Sequence, residues 1–392
     1  MKGRTGGGKI LYNKATPGKK RREEERETMK YVCSRCGKEE DAATRKPRCE
    51  CGGLWNLEFE RPKFSLDLVD RDEWSIFRYR AFMPPLGDAW RAVSLGEGLT
   101  PVVRLDDDLS LKMDYFMPTL SFKDRGAAVL VSHCRAVGVE SVAQDSSGNA
   151  GNSVAAYCAR AGIACEIFVP EGTSPKKIDM IRAHGAVANV IPGSRDHCAA
   201  VCREKASQEG NYYASHVYNP FFYEGTKTYI YEVYEQLGRI PANIIVPVGN
   251  GTLFLGVMKG LEELAEAGLI ERFPQVIAVQ SERCAPLLEA VKNSLREPVK
   301  VSPQKTLAEG IAIGEPMRGR EILEYIYRHG VKMVSAPEEK ILEARGLLAA
   351  KGIYCEHTTA ANIAGYMACA EMYGAPRDCL IPICGAGLKS DH

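Results

Sequence analysis

From residue 126 onward the chain alternates between two hydrophobic rhythms. Helical patterns cover 126–137, 151–161, 175–184, 225–237 and 253–267, and short apolar runs at 141–144, 165–169, 188–190, 244–248 and 276–279 read as strands. Strands and helices that alternate with short connections predict a parallel sheet covered by helices. The expected architecture is α/β, with two doubly wound parallel-sheet domains and a cleft between them.

The first hundred residues lack this rhythm. Residues 1–28 are rich in Gly, Lys, Arg and Glu and have too little apolar content for a core, so a disordered tail is expected. Its basic run, Lys19 to Arg22, is cancelled by the acidic run Glu23 to Glu25, and Met29 is a second candidate start. Residues 55–92 mix Pro62, Pro84 and Pro85 with Trp74, Phe77, Tyr79 and Phe82, and read as a strap packed onto the main body. Residues 111–114 form a short strand that leads to Lys123.

A length of 392 residues with 45% hydrophobic content suffices for two domains and a small module. With 51 basic and 50 acidic residues the net charge is +1, which gives no overall field for nucleic acid or an anionic membrane. No apolar run approaches the ~18 residues of a membrane span and no secretory signal opens the chain, so a soluble cytoplasmic protein is expected. Most of the 14 cysteines, such as Cys134, Cys158, Cys165 and Cys369, sit singly in apolar or helical surroundings. That pattern fits reduced thiols better than a disulfide framework.

Four cysteines stand apart. Cys33 and Cys36 form a CxxC, Cys49 and Cys51 a CxC, and Gly37, Gly52 and Gly53 supply turns that let four thiolates converge. Zinc in a closed tetrahedral site is the expected ligand, with a structural role only, because no position is left for water. A redox pair or a metal-free knuckle are the alternatives.

The candidate chemistry centres on Pro118-Thr119-Leu120-Ser121-Phe122-Lys123-Asp124-Arg125-Gly126. A lysine at the mouth of a helix lies near the positive end of the backbone dipole, and Arg125 adds a cation, so the ammonium form of Lys123 is disfavoured. A neutral amine is a nucleophile suited to a Schiff base. The alternative is a solvated first-turn lysine balanced by Asp124. Three further stretches each follow an apolar run: Ser146-Ser147-Gly148-Asn149-Ala150-Gly151-Asn152, Pro247-Val248-Gly249-Asn250-Gly251-Thr252, and Cys384-Gly385-Ala386-Gly387-Leu388-Lys389. Amides at a strand-to-helix turn such as 249–252 can hold an anion, although a plain turn has the same form. Ser146, Ser147 and Asn149 could bind a carboxylate or merely cap a helix.

In this order the four stretches resemble the fold-type II enzymes of pyridoxal phosphate, the tryptophan synthase β-like fold, and most closely the threonine synthase and serine/threonine dehydratase branch. The resemblance runs from about residue 95 to 389. It implies pyridoxal phosphate in the cleft, joined to Lys123, with its phosphate on Gly249, Asn250, Gly251, Thr252 and Leu253. It further implies Asn149 at the ring hydroxyl, Cys384 at the pyridine nitrogen, and Ser146 and Ser147 at the carboxylate of an amino-acid substrate. The domains it implies are a ribbon over 29–58, a large cofactor-binding domain over 59–125 and 230–392, and a small one over 126–229. The family default is a homodimer. Glu309 and the Glu356-His357-Thr358-Thr359-Ala360 segment also fall at family motifs, Glu309 being either an acid or base or a surface carboxylate.

Two departures bear on the substrate. The family motif Asn-Ser-x-Asn-Pro-x-Arg-x-x-Gly-Gln-Lys-Thr reads here His216-Val217-Tyr218-Asn219-Pro220-Phe221-Phe222-Tyr223-Glu224-Gly225-Thr226-Lys227-Thr228. Phe222 thus replaces an arginine fork for a substrate phosphate, and His216 or Lys227 would have to compensate. The family's Asn-Pro-Thr-Gly-Ser-Phe-Lys likewise appears as Met117-Pro118-Thr119-Leu120-Ser121-Phe122-Lys123. The activity implied is elimination or replacement at the β or γ carbon, with O-phosphohomoserine and water giving threonine and phosphate. The rivals are a dehydratase or ammonia-lyase on an unphosphorylated amino acid, and a non-catalytic scaffold.

Overall fold

A computed structural model describes residues 29–208 and 210–389; the tail expected over 1–28 lies outside the described residues. The first module is a three-stranded antiparallel sheet of β1 (Met29–Cys33), β2 (Glu39–Asp41) and β3 (Trp55–Phe59), in the order β2-β1-β3. Its inward-facing residues alternate along β1, where Met29, Tyr31 and Cys33 are buried. The strap then runs over the body on an aromatic cluster, with Phe64 4.5 Å from the Tyr231 ring and 4.7 Å from Phe82. Arg78 fastens it by an ion pair with Glu235 at 2.7 Å.

Next come β4 (Val102–Arg104), β5 (Leu109–Lys112) and α1 (Lys123–Ala136). The chain then winds through β6 (Ser141–Gln144), α2 (Asn149–Ala161), β7 (Ala164–Pro170), α3 (Pro175–Ala183), β8 (Val187–Ile191), α4 (Arg195–Ala206) and β9 (Asn211–Tyr213). These four strands make a fully parallel sheet in the order β8-β7-β6-β9. The stretch read as one helix over 225–237 is two, α5 (Phe221–Thr226) and α6 (Thr228–Leu237), meeting at Lys227.

The remainder is β10 (Asn243–Pro247), α7 (Thr252–Glu266), β11 (Gln275–Ser281), α8 (Pro286–Lys292), α9 (Gly319–His329), β12 (Lys332–Ala336), α10 (Glu338–Ala349), α11 (His357–Tyr373) and β13 (Cys379–Pro382). The six-stranded sheet runs β12-β11-β10-β13-β5-β4, parallel except for β4. Thus β13, last in the chain, lies between β10 and β5, and the winding changes direction there. The carboxyl ends of β5, β10 and β13 are neighbours at that point, which is where open α/β sheets form their ligand crevices. Among the described residues, no helix is long and apolar enough to cross a membrane.

Under the crevice lies a buried charge network. Arg125 on α1 binds Asp114 at 2.8 Å and Glu232 at 2.6 Å, and Lys112 on β5 binds Glu232 at 2.8 Å, all four side chains being fully enclosed. Thr100 donates to Asp114 at 2.7 Å. Burial alone would raise the Glu232 carboxyl, but Arg125 and Lys112 bring it down to about 2.

Candidate active site

The crevice is a cavity of about 660 Å³. Lys123 lies on its floor as the first residue of α1, because Phe122 already has helical dihedrals and donates its amide to the Cys384 carbonyl at 2.9 Å. The Lys123 amine donates to Thr252 Oγ1 at 2.6 Å. Burial lowers its pKa to about 7, with Cys384 and Glu356 pulling weakly the other way. The cause differs from the expected one. Arg125 points away into the charge network, and Asp124 accepts from Thr119 and Ser153 instead of balancing Lys123. An amine that is already in part neutral near pH 7 results from enclosure rather than from a neighbouring cation.

Gly249 to Leu253 follow β10 and open α7, and all five line the cavity. Gly251 has φ +79°, and a Cβ there would meet Ile322 at 2.4 Å, so the close turn requires glycine. The α7 amides face the cavity end of a 15-residue helix, a favourable place for an anion. On the opposite wall the β6 carboxyl end carries Ser146, Ser147, Gly148 and Asn149 into the same cavity. A Cβ on Gly151 would fall 1.8 Å from the Ser146 carbonyl, so that glycine lets the loop fold onto α2. The Asn149 amide donates to Glu356 at 2.9 Å.

Cys384 follows β13 and lines the cavity while 1% exposed. Burial, with Glu356 and Asp114 adding to it, keeps the thiol protonated, and its sulfur lies 3.8 Å from Asn362 Nδ2. A neutral amine, a glycine turn at a helix start and a protonated thiol suit a phosphorylated aromatic aldehyde. The donor set therefore fits pyridoxal phosphate, held by Lys123, the 249–253 turn and Cys384.

His216 also lines the cavity, and burial together with the Lys123 and Arg195 charges pushes its pKa well below the usual range, so the imidazole is neutral. Lys227 does not reach the cavity. It is fully buried behind α5, pairing with Glu224 at 2.6 Å and Glu263 at 3.1 Å and donating to the Phe82 carbonyl at 2.8 Å. A substrate-binding Lys227 is therefore corrected: its ammonium is consumed by two buried carboxylates. Phe222 is buried against Gly126 and its ring centroid is 5.7 Å from the Lys123 amine.

Sequence reasoning missed four cations that line the cavity, Lys177, Arg195, Arg283 and Lys305. Lys177 pairs with the exposed Glu309 at 2.8 Å, which places Glu309 at the cavity mouth. Arg195 and Lys305 make no ion pair among the described residues. Arg195 had a legible signal: it is the first residue of α4, where the helix dipole disfavours a cation. Glu356, quoted only as part of a motif, lines the cavity facing Asn149.

In the small antiparallel sheet, the sulfurs of Cys33, Cys36, Cys49 and Cys51 lie within 4.8 Å of one another. Two of the separations are 3.4 Å and 3.7 Å. A tetrahedron of about 2.3 Å Zn–S bonds has S–S edges of about 3.8 Å, so the donor set fits that ion.

A family model described as "Pyridoxal-phosphate dependent enzyme" matches residues 93–385. The threonine synthase of Methanocaldococcus jannaschii is 34% identical over 92% of this chain and 93% of its own length. That of Mycobacterium leprae is 35% identical over 78% and 86%. Among solved structures, a threonine deaminase from Solanum lycopersicum has a TM-score of 0.66 at 24% identity, covering 81% of this chain and 85% of its own. Maize serine racemase has a TM-score of 0.65 at 18% identity, over 77% and 92%. The structural likenesses establish the shared fold. Family match, relatives and crevice converge: the chain belongs to the pyridoxal-phosphate dependent enzymes of fold type II, in their threonine synthase-like branch, and is a lyase of that family.

Proposed function

We propose that the chain converts O-phospho-L-homoserine and water to L-threonine and phosphate. The observation that carries this reading is a likeness to a named threonine synthase that extends over 92% of the chain and so includes the four-cysteine module. Pyridoxal phosphate, when bound, supplies the electron sink that makes removal of a substrate α-proton accessible. Lys123 is the acid and base: near neutral pH its amine is free to accept that proton and return it within the cleft. Ser146, Ser147 and the amides beside them orient the substrate carboxylate. Thr252 holds the Lys123 amine in place, and the protonated Cys384 thiol would serve the pyridine ring of bound cofactor as a weak hydrogen-bond partner, drawing less electron density than an aspartate would. The substrate phosphate is received by Arg195 and Lys305, cations that make no ion pair among the described residues, because Phe222 supplies no charge where the family motif has an arginine.

The phenylalanine in place of that arginine favours a second reading, elimination of ammonia from an unphosphorylated hydroxy amino acid. Absorbance of the holoenzyme titrated with O-phosphohomoserine, threonine and serine, with Lys123→Ala as control, separates the two. Phosphate release with O-phosphohomoserine supports the first reading, whereas keto-acid formation from serine or threonine replaces it with the second.

The finer parts of the reading are a structural zinc on Cys33, Cys36, Cys49 and Cys51, a cytoplasmic location and a homodimer. Supporting them are the clustered sulfurs, fourteen unlinked thiols and the exposed apolar side chains of Phe116 and Leu388. One zinc per chain by elemental analysis and a doubled mass in solution are the expected measurements.

A further inference from the structure

Arg318 stands at the entrance to α9 and is 3% exposed. Each N–H of its guanidinium has an acceptor. Nε donates to the Val217 carbonyl at 2.9 Å and Nη2 to the Tyr218 carbonyl at 3.0 Å. In the other direction, Nη2 donates to the Trp55 carbonyl at 2.7 Å and Nη1 to Asn56 Oδ1 at 2.9 Å. Nη1 also donates to Glu321 at 2.8 Å, and the Tyr223 ring lies 4.8 Å from the guanidinium carbon.

The two ends of this fork belong to different parts of the protein. Val217 and Tyr218 directly follow His216 on the cavity wall. Trp55 and Asn56 open β3, where Trp55 is paired with Cys33 and where the Gly53 amide contacts the Cys51 sulfur at 3.4 Å. Two apolar contacts run alongside. Tyr31 stacks on Trp55 at 5.9 Å and turns its edge to Phe221 at 6.1 Å, and Leu54 shares a cluster with Val217 and Tyr218. The four-cysteine module therefore rests on the segment that carries His216.

We infer that Arg318 is a positioning residue: it ties the first residues of β3 to the carbonyls behind His216, so that an ordered four-cysteine module fixes the His216 wall of the cavity. A lysine cannot replace it, because an ammonium has three donors and no planar fork, whereas this arginine uses five. The proposed reaction is needed only for the kinetic readout.

The test compares holoenzyme with Arg318→Lys and with Asn56→Ala, which removes one of the two bonds at the ribbon end of the fork and none at the other end. The ring signal of His216 is followed by NMR of histidine-labelled protein, assigned with His216→Gln. Both variants are expected to keep the cofactor absorbance band and to shift the His216 signal. With O-phosphohomoserine, KM should rise about tenfold in Arg318→Lys and about threefold in Asn56→Ala, with kcat within about twofold. Chelation of the ribbon metal in the wild type should shift the same signal and add little in Arg318→Lys. An unmoved His216 signal and unchanged KM in folded Asn56→Ala overturn the inference, whatever happens to the melting temperature, and decide it alone if Arg318→Lys does not fold. Absence of turnover with every substrate would remove the proposed reaction but leave the NMR outcome decisive.

Discussion

Asn149 reaches across the cleft and donates its amide to both carboxylate oxygens of Glu356, at 3.2 Å and 2.9 Å, although the two residues are 207 positions apart in sequence. Asn149 opens α2, beside the four-stranded sheet, and Glu356 immediately precedes α11, beside the six-stranded one. The contact crosses the crevice between the two sheets, and Gly385 makes room for it, since a Cβ there would meet the Glu356 carboxyl at 2.4 Å.

If Asn149 exchanges this partner for the ring hydroxyl of pyridoxal phosphate, as the family resemblance implies, replacing it by alanine should weaken cofactor binding while leaving the fold intact. A hydrogen bond to a charged group contributes about 1.5–3 kcal/mol, so the affinity for pyridoxal phosphate should fall by at least about tenfold. Fluorescence titration of apoprotein measures it. An unchanged affinity would remove Asn149 from the cofactor contacts.

Lys123 gives a pH prediction. Its pKa is lowered from 10.5 to about 7, so the neutral, nucleophilic form grows as pH rises through 7 and is largely complete a unit above. The rate at which apoprotein captures pyridoxal phosphate should rise with pH over the same interval and then level off. A rise that continued toward pH 10 would mean an ordinary solvated lysine. Lys123→Ala should show no capture band at any pH.

The charge network predicts an acid limit. The Glu232 carboxyl is lowered from 4.5 to about 2 in the folded protein, so its contribution is complete above pH 4.5 and is lost as pH falls toward 2. Glu232→Gln leaves Arg125 and Lys112 short of a buried partner, and should cost about 3–5 kcal/mol at neutral pH by denaturant unfolding. It should also flatten the stability profile between those two pH values. A loss below about 1 kcal/mol would show the network to be dispensable.

Leu120 predicts a gain. Its φ is +63°, in the left-handed region, and its side chain is 41% exposed, so it bears backbone strain without burying much surface. Glycine relieves about 1–2 kcal/mol of that strain and returns about 0.5–1 kcal/mol as chain entropy. Leu120→Gly should thus raise stability by about 0.5–1 kcal/mol, read as an increase in the denaturant midpoint. A decrease would mean that the contacts Leu120 makes within this chain outweigh its backbone strain.

The crevice was legible because its parts are turn chemistry. Glycines such as Gly151 and Gly251, and the Ser146-Ser147 pair, mark the ends of apolar runs, and parallel strands bring such ends together at one edge. The ordering of β13 between β10 and β5 was not legible, since no local pattern encodes which strand a late segment joins. Lys227 was misread for a related reason. A motif preserves order along the chain, but at the α5–α6 junction the side chain turns toward Glu263 on α7, away from the cavity. Arg195 and Lys305 come from segments distant in sequence that only the fold brings to one cavity. The lowered pKa of Lys123 was anticipated from the wrong cause, because burial depends on long-range packing and a neighbouring Arg125 does not reveal where its own charge is spent.

Arg125 lies two positions beyond Lys123 on the same helical turn and is locked by carboxylates from two other segments, Asp114 before the helix and Glu232 on α6. The backbone that carries Lys123 is thereby anchored from its buried side. Rotation about the bonds of its methylene stem is then the cheapest displacement open to the amine nitrogen, since travel of the helix would break buried ion pairs. As the proposed base, Lys123 would work along an arc swept from an anchored pivot.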